Sequence, residues 1–329
     1  MSGSDQTRAA QTASGSSRMN RLETGTNLKS RLFQYRYIYL MLLPGILFLL
    51  VMNYLPMFGA LIAFKEIDYA LGILRSPWVG LQNFRFLFAT GDAWVAIRNT
   101  LAYNGVFIIT GPVFSVGLAI MLNELWNKRV AKIYQTLLIM PHFISFVVVS
   151  YLVYAFLATS TGYVNTQVLP VFGAEPVRWY LEPSKWPAVL FLVNGWKTWG
   201  FGTVIYLASM AGFDPQLYEA ATIDGASRWM QIRRITVPLL LPMIMLLFIL
   251  SLGRIFNADF GLFYQVTRAA GPLIPTTQVL DTFVYRALIR LGDIGMSSAA
   301  AFLQSVVGFF TIFTVNLITR RLKPEWSIF

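Results

Sequence analysis

Cysteine is absent from the 329 residues, and histidine occurs once, as His142. Disulfides, thiolate metal sites and histidine metal clusters are thereby excluded. No Ser/His/Asp or Cys/His nucleophilic set is available either. His142, beside Pro141 in an apolar run, reads as a packed polar residue of a helix bundle, with a proton relay as the alternative. Charge is also scarce: 12% of residues are charged, where a soluble domain carries about 25%. With 56% hydrophobic residues and a mean hydropathy of +0.58, that deficit indicates a polytopic membrane protein. A phosphate-binding G-x-x-x-x-G-K-[ST] loop is missing as well. Gly195-Trp-Lys-Thr has only a superficial likeness to one, because its glycine spacing is wrong and it lies in an apolar run. The chain has no means of its own to hydrolyse ATP, no cofactor site and no metal site. The net charge of +11 would draw a soluble protein to nucleic acid; in a membrane protein, where the charges lie matters more, and no nucleic acid is expected.

About six segments reach the roughly 20 mostly apolar residues that a bilayer crossing needs, near 37–60, 101–124, 133–157, 186–210, 237–257 and 296–318. The prolines within them at 44, 56, 112, 141 and 242 are tolerable where neighbouring helices satisfy the freed backbone groups. Residues 1–30, rich in Ser, Thr, Gly, Gln and basic residues with no apolar run, predict a disordered cytoplasmic tail and not a signal peptide. Residues 31–329 form the membrane domain.

Lysine and arginine set the orientation. Lys128, Arg129 and Lys132 crowd the tight 125–132 connection, and Arg320, Arg321 and Lys323 follow the last segment. Both termini are therefore expected on the cytoplasmic side. The opposite loops are longer and carry aromatic and turn residues, including Trp78, Phe84, Trp179, Tyr180, Pro272 and Pro275.

One cytoplasmic connection, about 213–238, is built as an ordered hairpin. Asp214 is placed to cap a short helix with Pro215 at its first position. Leu217, Ala220 and Ala221 share a face of that helix. Asp224-Gly225 signals a turn that needs positive φ. A second helix carries an apolar stripe of Trp229, Ile232 and Ile235, with Arg228, Arg233 and Arg234 left polar. A loop this ordered at a membrane surface is a docking element.

The spacing Glu219-Ala220-Ala221, Gly225, Ile235, Val237, Pro238 resembles the cytoplasmic signature of membrane subunits of binding-protein-dependent ABC importers. Val237 stands where that family usually has Leu. Trp78, Gly80, Leu81, Asn83 and Phe84 match the W-x-G-L-x-N-F element of its carbohydrate-importing members. The resemblance implies an all-α integral membrane protein in the type I ABC importer permease arrangement, with a cytoplasmic coupling-helix loop, in a bacterial inner membrane. It further implies a second homologous permease, either a different chain or another copy of this one. Two ATPase subunits carrying ATP and Mg would dock at Glu219, Ala220, Ala221, Asp224, Gly225, Ile235 and Pro238, and a periplasmic solute-binding protein would dock opposite. The extended N-terminal tail and the cationic residues make the chain similar to permeases for long acidic polysaccharides such as alginate; neutral oligosaccharide is the alternative.

Polar and aromatic residues on a span suit sugar, whose hydroxyls accept hydrogen bonds and whose faces stack on rings. Asn194, Trp196, Lys197 and Trp199 are such a group, with helix packing around Gly195 and Gly200 as the plain alternative. Lys197 and Arg254 are charges within spans, which usually face a bundle interior or a water-filled path. Asp259 follows the fifth span. Arg254 and Asp259 lie near a span end, where Arg254 can snorkel, and their spacing of five does not bring them together on a helix. An ion-driven carrier would instead need acidic residues at mid-span, and none is present there. A non-transporting membrane scaffold would leave the Glu219–Pro238 spacing unexplained.

Overall fold

The computed structural model describes residues 35–89 and 91–322. The tail expected at 1–30 and Lys323 lie outside the described residues. The chain divides into two compact units, Met1–Gly59 and Ala60–Phe329. Among the described residues every element is helical except one isolated bridge, Lys65–Trp78. Hydrocarbon leaves backbone N–H and C=O groups no water to bond, so a spanning chain satisfies them internally as helix.

Helix α1 (Arg36–Leu49) runs on through a π turn at Leu50–Tyr54 into a 3-10 stretch at Phe58–Phe64, and carries no buried residue. The short α2 (Gln82–Ala89) precedes α3 (Gly91–Asn123), which begins ten residues earlier than its apolar run predicts. Four residues separate α3 from α4 (Lys128–Phe143), whose N-cap Asn127 accepts through its side chain from the Arg129 and Val130 N–H groups. Helix α5 (Phe146–Leu157) follows, capped by Ser145.

Here the structure corrects the sequence. One straight span was expected at 133–157; instead α4 and α5 meet at 101°. Pro141 removes a backbone donor near the end of α4, and Ile144 and Ser145 are extended, so the helix cannot continue. His142 is also not packed inside the bundle: it is exposed in the single chain and stacks on Phe201 at 4.5 Å between ring centroids.

Helix α6 (Trp186–Met210) matches the expected 186–210 span. Within the 213–238 segment, α7 (Pro215–Ile223) and the short α8 (Arg228–Gln231) lead through a π turn at Ile232–Thr236 into α9 (Val237–Leu252). Helix α10 (Leu280–Arg286) and the long α11 (Ile294–Leu322) close the chain. Among the described residues four helical stretches are long and apolar enough to cross a membrane by themselves: Arg36–Phe64, Gly91–Asn123, Arg228–Leu252 and Ile294–Arg321. The bent α4–α5 pair supplies a fifth. Helix α6 has spanning length at about 1.5 Å per residue, but Asn194, Lys197 and its glycines dilute its hydrophobicity.

Within the second unit α6 is the central helix, packing most extensively on α3 and α4. The stretch 258–279, expected as an outer loop, folds inward: Leu262, Phe263, Val266 and Leu273 are buried in one cluster with Tyr103, Val149, Trp186 and Leu190. A polar stripe on α3 makes this possible by serving the irregular backbone. Asn99 donates to the carbonyls of Pro275 and Gln278 at 3.2 and 3.0 Å, Tyr103 to that of Thr276 at 2.8 Å, and Asn104 to those of Ile255 and Asn257 at 2.7 and 3.1 Å. Non-helical backbone at this depth is tolerated because protein groups satisfy it.

Candidate functional site

The 213–238 segment is a compact hairpin. Asp214 caps α7 by accepting from the Gln216 N–H at 2.9 Å, with Pro215 at the first position. Gly225 turns the chain at φ +78°, a conformation that suits glycine because it has no Cβ. Ser227 caps α8, accepting from Met230 at 3.3 Å. Three side-chain bonds then tie the hairpin together. Gln231, 4% exposed, donates to the Thr222 hydroxyl at 2.9 Å and the Ala226 carbonyl at 3.3 Å; the Tyr218 and Thr236 hydroxyls meet at 3.1 Å. Gln231 was not among the expected site residues, because a lone Gln between Met and Ile carries no pattern that marks it as an inter-arm link.

The outward surface holds Glu219, Ala220, Asp224 and Gly225, all exposed, with Ala221 half-buried. Ile223 and Trp229 stand 86% and 71% exposed. The expected stripe therefore divides: Ile232 and Ile235 are half-buried against the protein, whereas Trp229 faces out. Pro238 is exposed at the first turn of α9. A cavity of about 640 Å³ joins this hairpin to the basic connection after α3, lined by Glu124, Trp126 and Lys128 on one side and Tyr218 and Arg228 on the other. Two segments read separately in the sequence thus share one end of the molecule.

The expected sugar-facing residues scatter. Asn194 and Trp199 line one groove of about 320 Å³ between α3, α6 and α9, together with Ser115, Thr198 and Ser251. Trp199 stacks on Phe114 at 4.0 Å between centroids. Trp196 lies 45% exposed and is not among the groove's lining residues. Lys197 is 5% exposed and is committed to backbone, donating to the carbonyls of Pro141 at 3.2 Å, His142 at 3.4 Å and Ile144. Arg254 and Asp259 are both exposed and form no ion pair with each other; Asp259 instead accepts from the Leu262 N–H at 3.1 Å. A carboxylate the sequence did not single out, Asp281, accepts from the Ala258 N–H at 2.7 Å and from Gln304 at 3.3 Å, tying α10 to α11 and to the turn after α9.

At the other end, each residue of Trp78-x-Gly80-Leu81-x-Asn83-Phe84 but Leu81 has a visible structural task. Trp78 pairs with Lys65 and its ring lies 5.1 Å from the Lys65 ammonium. Gly80 takes φ +60°, Asn83 donates to the Ala63 and Lys65 carbonyls at 3.0 Å each, and Phe84 packs with Phe64 and Phe302. In the loop before α6 the Lys185 ammonium, 2.8 Å from Glu182, holds that carboxyl below its ordinary value. Among the described residues no group of three or more metal-ligating side chains gathers.

Comparison with known proteins agrees with this architecture. The model of the family described as "Binding-protein-dependent transport system inner membrane component" matches residues 111–324. The polygalacturonan/rhamnogalacturonan transport system permease protein YteP of Bacillus subtilis (strain 168) is 34% identical over 306 residues, 92% of this chain and 94% of that protein. The trehalose/maltose transport system permease protein MalF of Thermococcus litoralis is 30% identical over 285 residues, 85% of this chain and 93% of that one. Among solved structures, a chain of a bacterial ABC transporter involved in the import of the acidic polysaccharide alginate superposes with a TM-score of 0.82 at 33% identity, covering 90% of this chain and 99% of that one. A family match running from α3 to the end of α11, and a relative aligned along nearly the whole chain, place the hairpin in a transport subunit and not an enzyme: this chain belongs to the inner membrane components of binding-protein-dependent transport systems.

Proposed function

We propose that the chain is one permease half of an ATP-driven importer that takes an acidic oligo- or polysaccharide from a periplasmic binding protein into the cytoplasm. The observation that carries this reading is the braced, outward-facing hairpin at 213–238, whose exposed Glu219-Ala220-Ala221 helix is shaped to lie in a groove of an ATPase. The small alanines allow close approach, and Glu219, Asp224 and Arg228 fix register at the rim. Both termini then lie in the cytoplasm, with a second permease alongside, two ATPases carrying ATP and Mg below, and the binding protein on the loops opposite. Closure of the ATPases pulls the hairpin, and the helices rock between inward-open and outward-open states.

The acidic substrate is supported by the alginate importer's similarity and by exposed Arg254; the Asn194–Trp199 groove supplies hydroxyl-bonding and stacking groups. A neutral oligosaccharide is the second reading, favoured by the similarity to the trehalose/maltose permease. The test is to extract a tagged copy from native membranes in mild detergent and identify what co-purifies. A P-loop ATPase with a second permease is the expected result. A chain that purifies alone, with no ATPase in reach, would overturn the reading and favour an ion-driven carrier.

A further inference from the structure

The break between α4 and α5 interrupts the helical ladder: the Pro141 carbonyl keeps one backbone bond, from the Ile144 N–H at 3.2 Å, while the His142 and Ile144 carbonyls fall outside the ladder. In an apolar surrounding, each unpaired carbonyl is expensive. Lys197, on the neighbouring α6, answers that need. Its ammonium has three donors, and it bonds three carbonyls, those of Pro141, His142 and Ile144. The face of the Phe146 ring, at the start of α5, lies 4.5 Å from the same nitrogen. A positive charge at the C-terminus of α4 also suits that helix's dipole. One turn further along α6, Gly200 lies against the Leu138 carbonyl so closely that a Cβ would overlap it. Lys197 and Gly200, three apart and thus on one face, pin α6 to α4 at two adjacent points. Helix α6 then runs without interruption to Met210, and the short turn 211–214 links it to the hairpin.

We infer that Lys197 is a positioning residue that locks the α4–α5 bend to α6, so that movement of the hairpin reaches the bend as displacement of one rigid body. It acts through backbone carbonyls and does not touch sugar. The inference rests on the reading that an ATPase moves the hairpin.

The absence of native cysteine allows spin labels at introduced cysteines on Tyr134 of α4 and Phe156 of α5, both 51% exposed. Distances are measured in the complete importer complex with and without ATP, beside the number of ATP molecules hydrolysed per substrate imported. In the otherwise native chain a single narrow distance is expected in each state. Lys197→Met keeps the apolar stem and removes the donors; it is expected to broaden the distance distribution and raise the ATP-to-substrate ratio by roughly fivefold or more. Lys197→Gln, with two donors, is expected to fall between, and it carries the test if the Met variant does not insert. Native distances and a native ratio in an assembled variant would overturn the role of Lys197. If the parent complex itself imports without ATP hydrolysis, the importer reading fails instead.

Discussion

Gly200 is the residue on which the α4–α6 contact turns. Any side chain there meets the Leu138 backbone, and backbone cannot step aside as a flexible side chain can. Gly200→Val should therefore destabilise the protein by about 1–3 kcal/mol or more, as overpacking does, measured as a lowered melting midpoint in detergent. Tyr180 makes the opposite case. Its hydroxyl is buried without a partner, and burial pushes the phenol up to about 12. Removing an unpaired buried donor relieves a desolvation penalty of about 1–3 kcal/mol, so Tyr180→Phe should leave the melting midpoint unchanged or raise it; a marked drop would mean that the hydroxyl has a partner in the assembled protein. Lys197 shows why intramembrane charge alone misleads. Its charge, burial and isolation from sequence-local acids are legible, and they point equally to a substrate path or to a structural cap. What decides between them is a set of carbonyls about fifty-five positions away in sequence, freed by a break that an apolar run with one proline does not announce.

The hairpin is the element most fully legible, because its signals are local: Asp214 before Pro215, Asp224 before Gly225, and the half-buried apolar Ile232 and Ile235. Its bracing was not legible, since Gln231 and Tyr218 work across the turn. Two variants separate structure from docking. Gln231→Leu removes the bonds to Thr222 and Ala226, leaving only the Tyr218–Thr236 link, and should lower melting temperature and uptake together. Glu219→Lys alters only an exposed charge and should leave melting unchanged while uptake fails and basal ATP hydrolysis continues in the complex. Full uptake by Glu219→Lys would count against docking through this helix. The inward-folded 258–279 stretch was missed because prolines and turn residues read as loop. The compensating signal was the run Asn99, Thr100, Tyr103, Asn104 on α3, a polar face in an otherwise apolar helix that had to be serving backbone somewhere. The same reasoning explains Asp281, whose carboxylate holds an N–H of the turn after α9.

For the whole molecule, composition alone identifies an integral membrane protein, and the spacing of apolar runs finds the helices to within a few residues at α6 and α11. The start of α3 runs further than hydrophobicity implies, because α3 begins with a polar stretch that serves the inward loop; α9 starts at Val237 as expected, and the hairpin's second helix leads into it without a break. The pieces that act together are assembled from distant segments: the basic connection after α3 meets the hairpin, and α6 joins the hairpin to the α4–α5 bend. That arrangement is useful to a machine driven from the hairpin end and has no evident use in an ion-driven carrier. The most direct test is uptake of an acidic oligosaccharide, presented by its binding protein, into proteoliposomes holding the chain with its second permease and ATPases. ATP enclosed with the ATPases should drive uptake that stops when ATP is omitted and persists when ion gradients are collapsed. Uptake that continues without ATP and vanishes with the ion gradient would contradict the account.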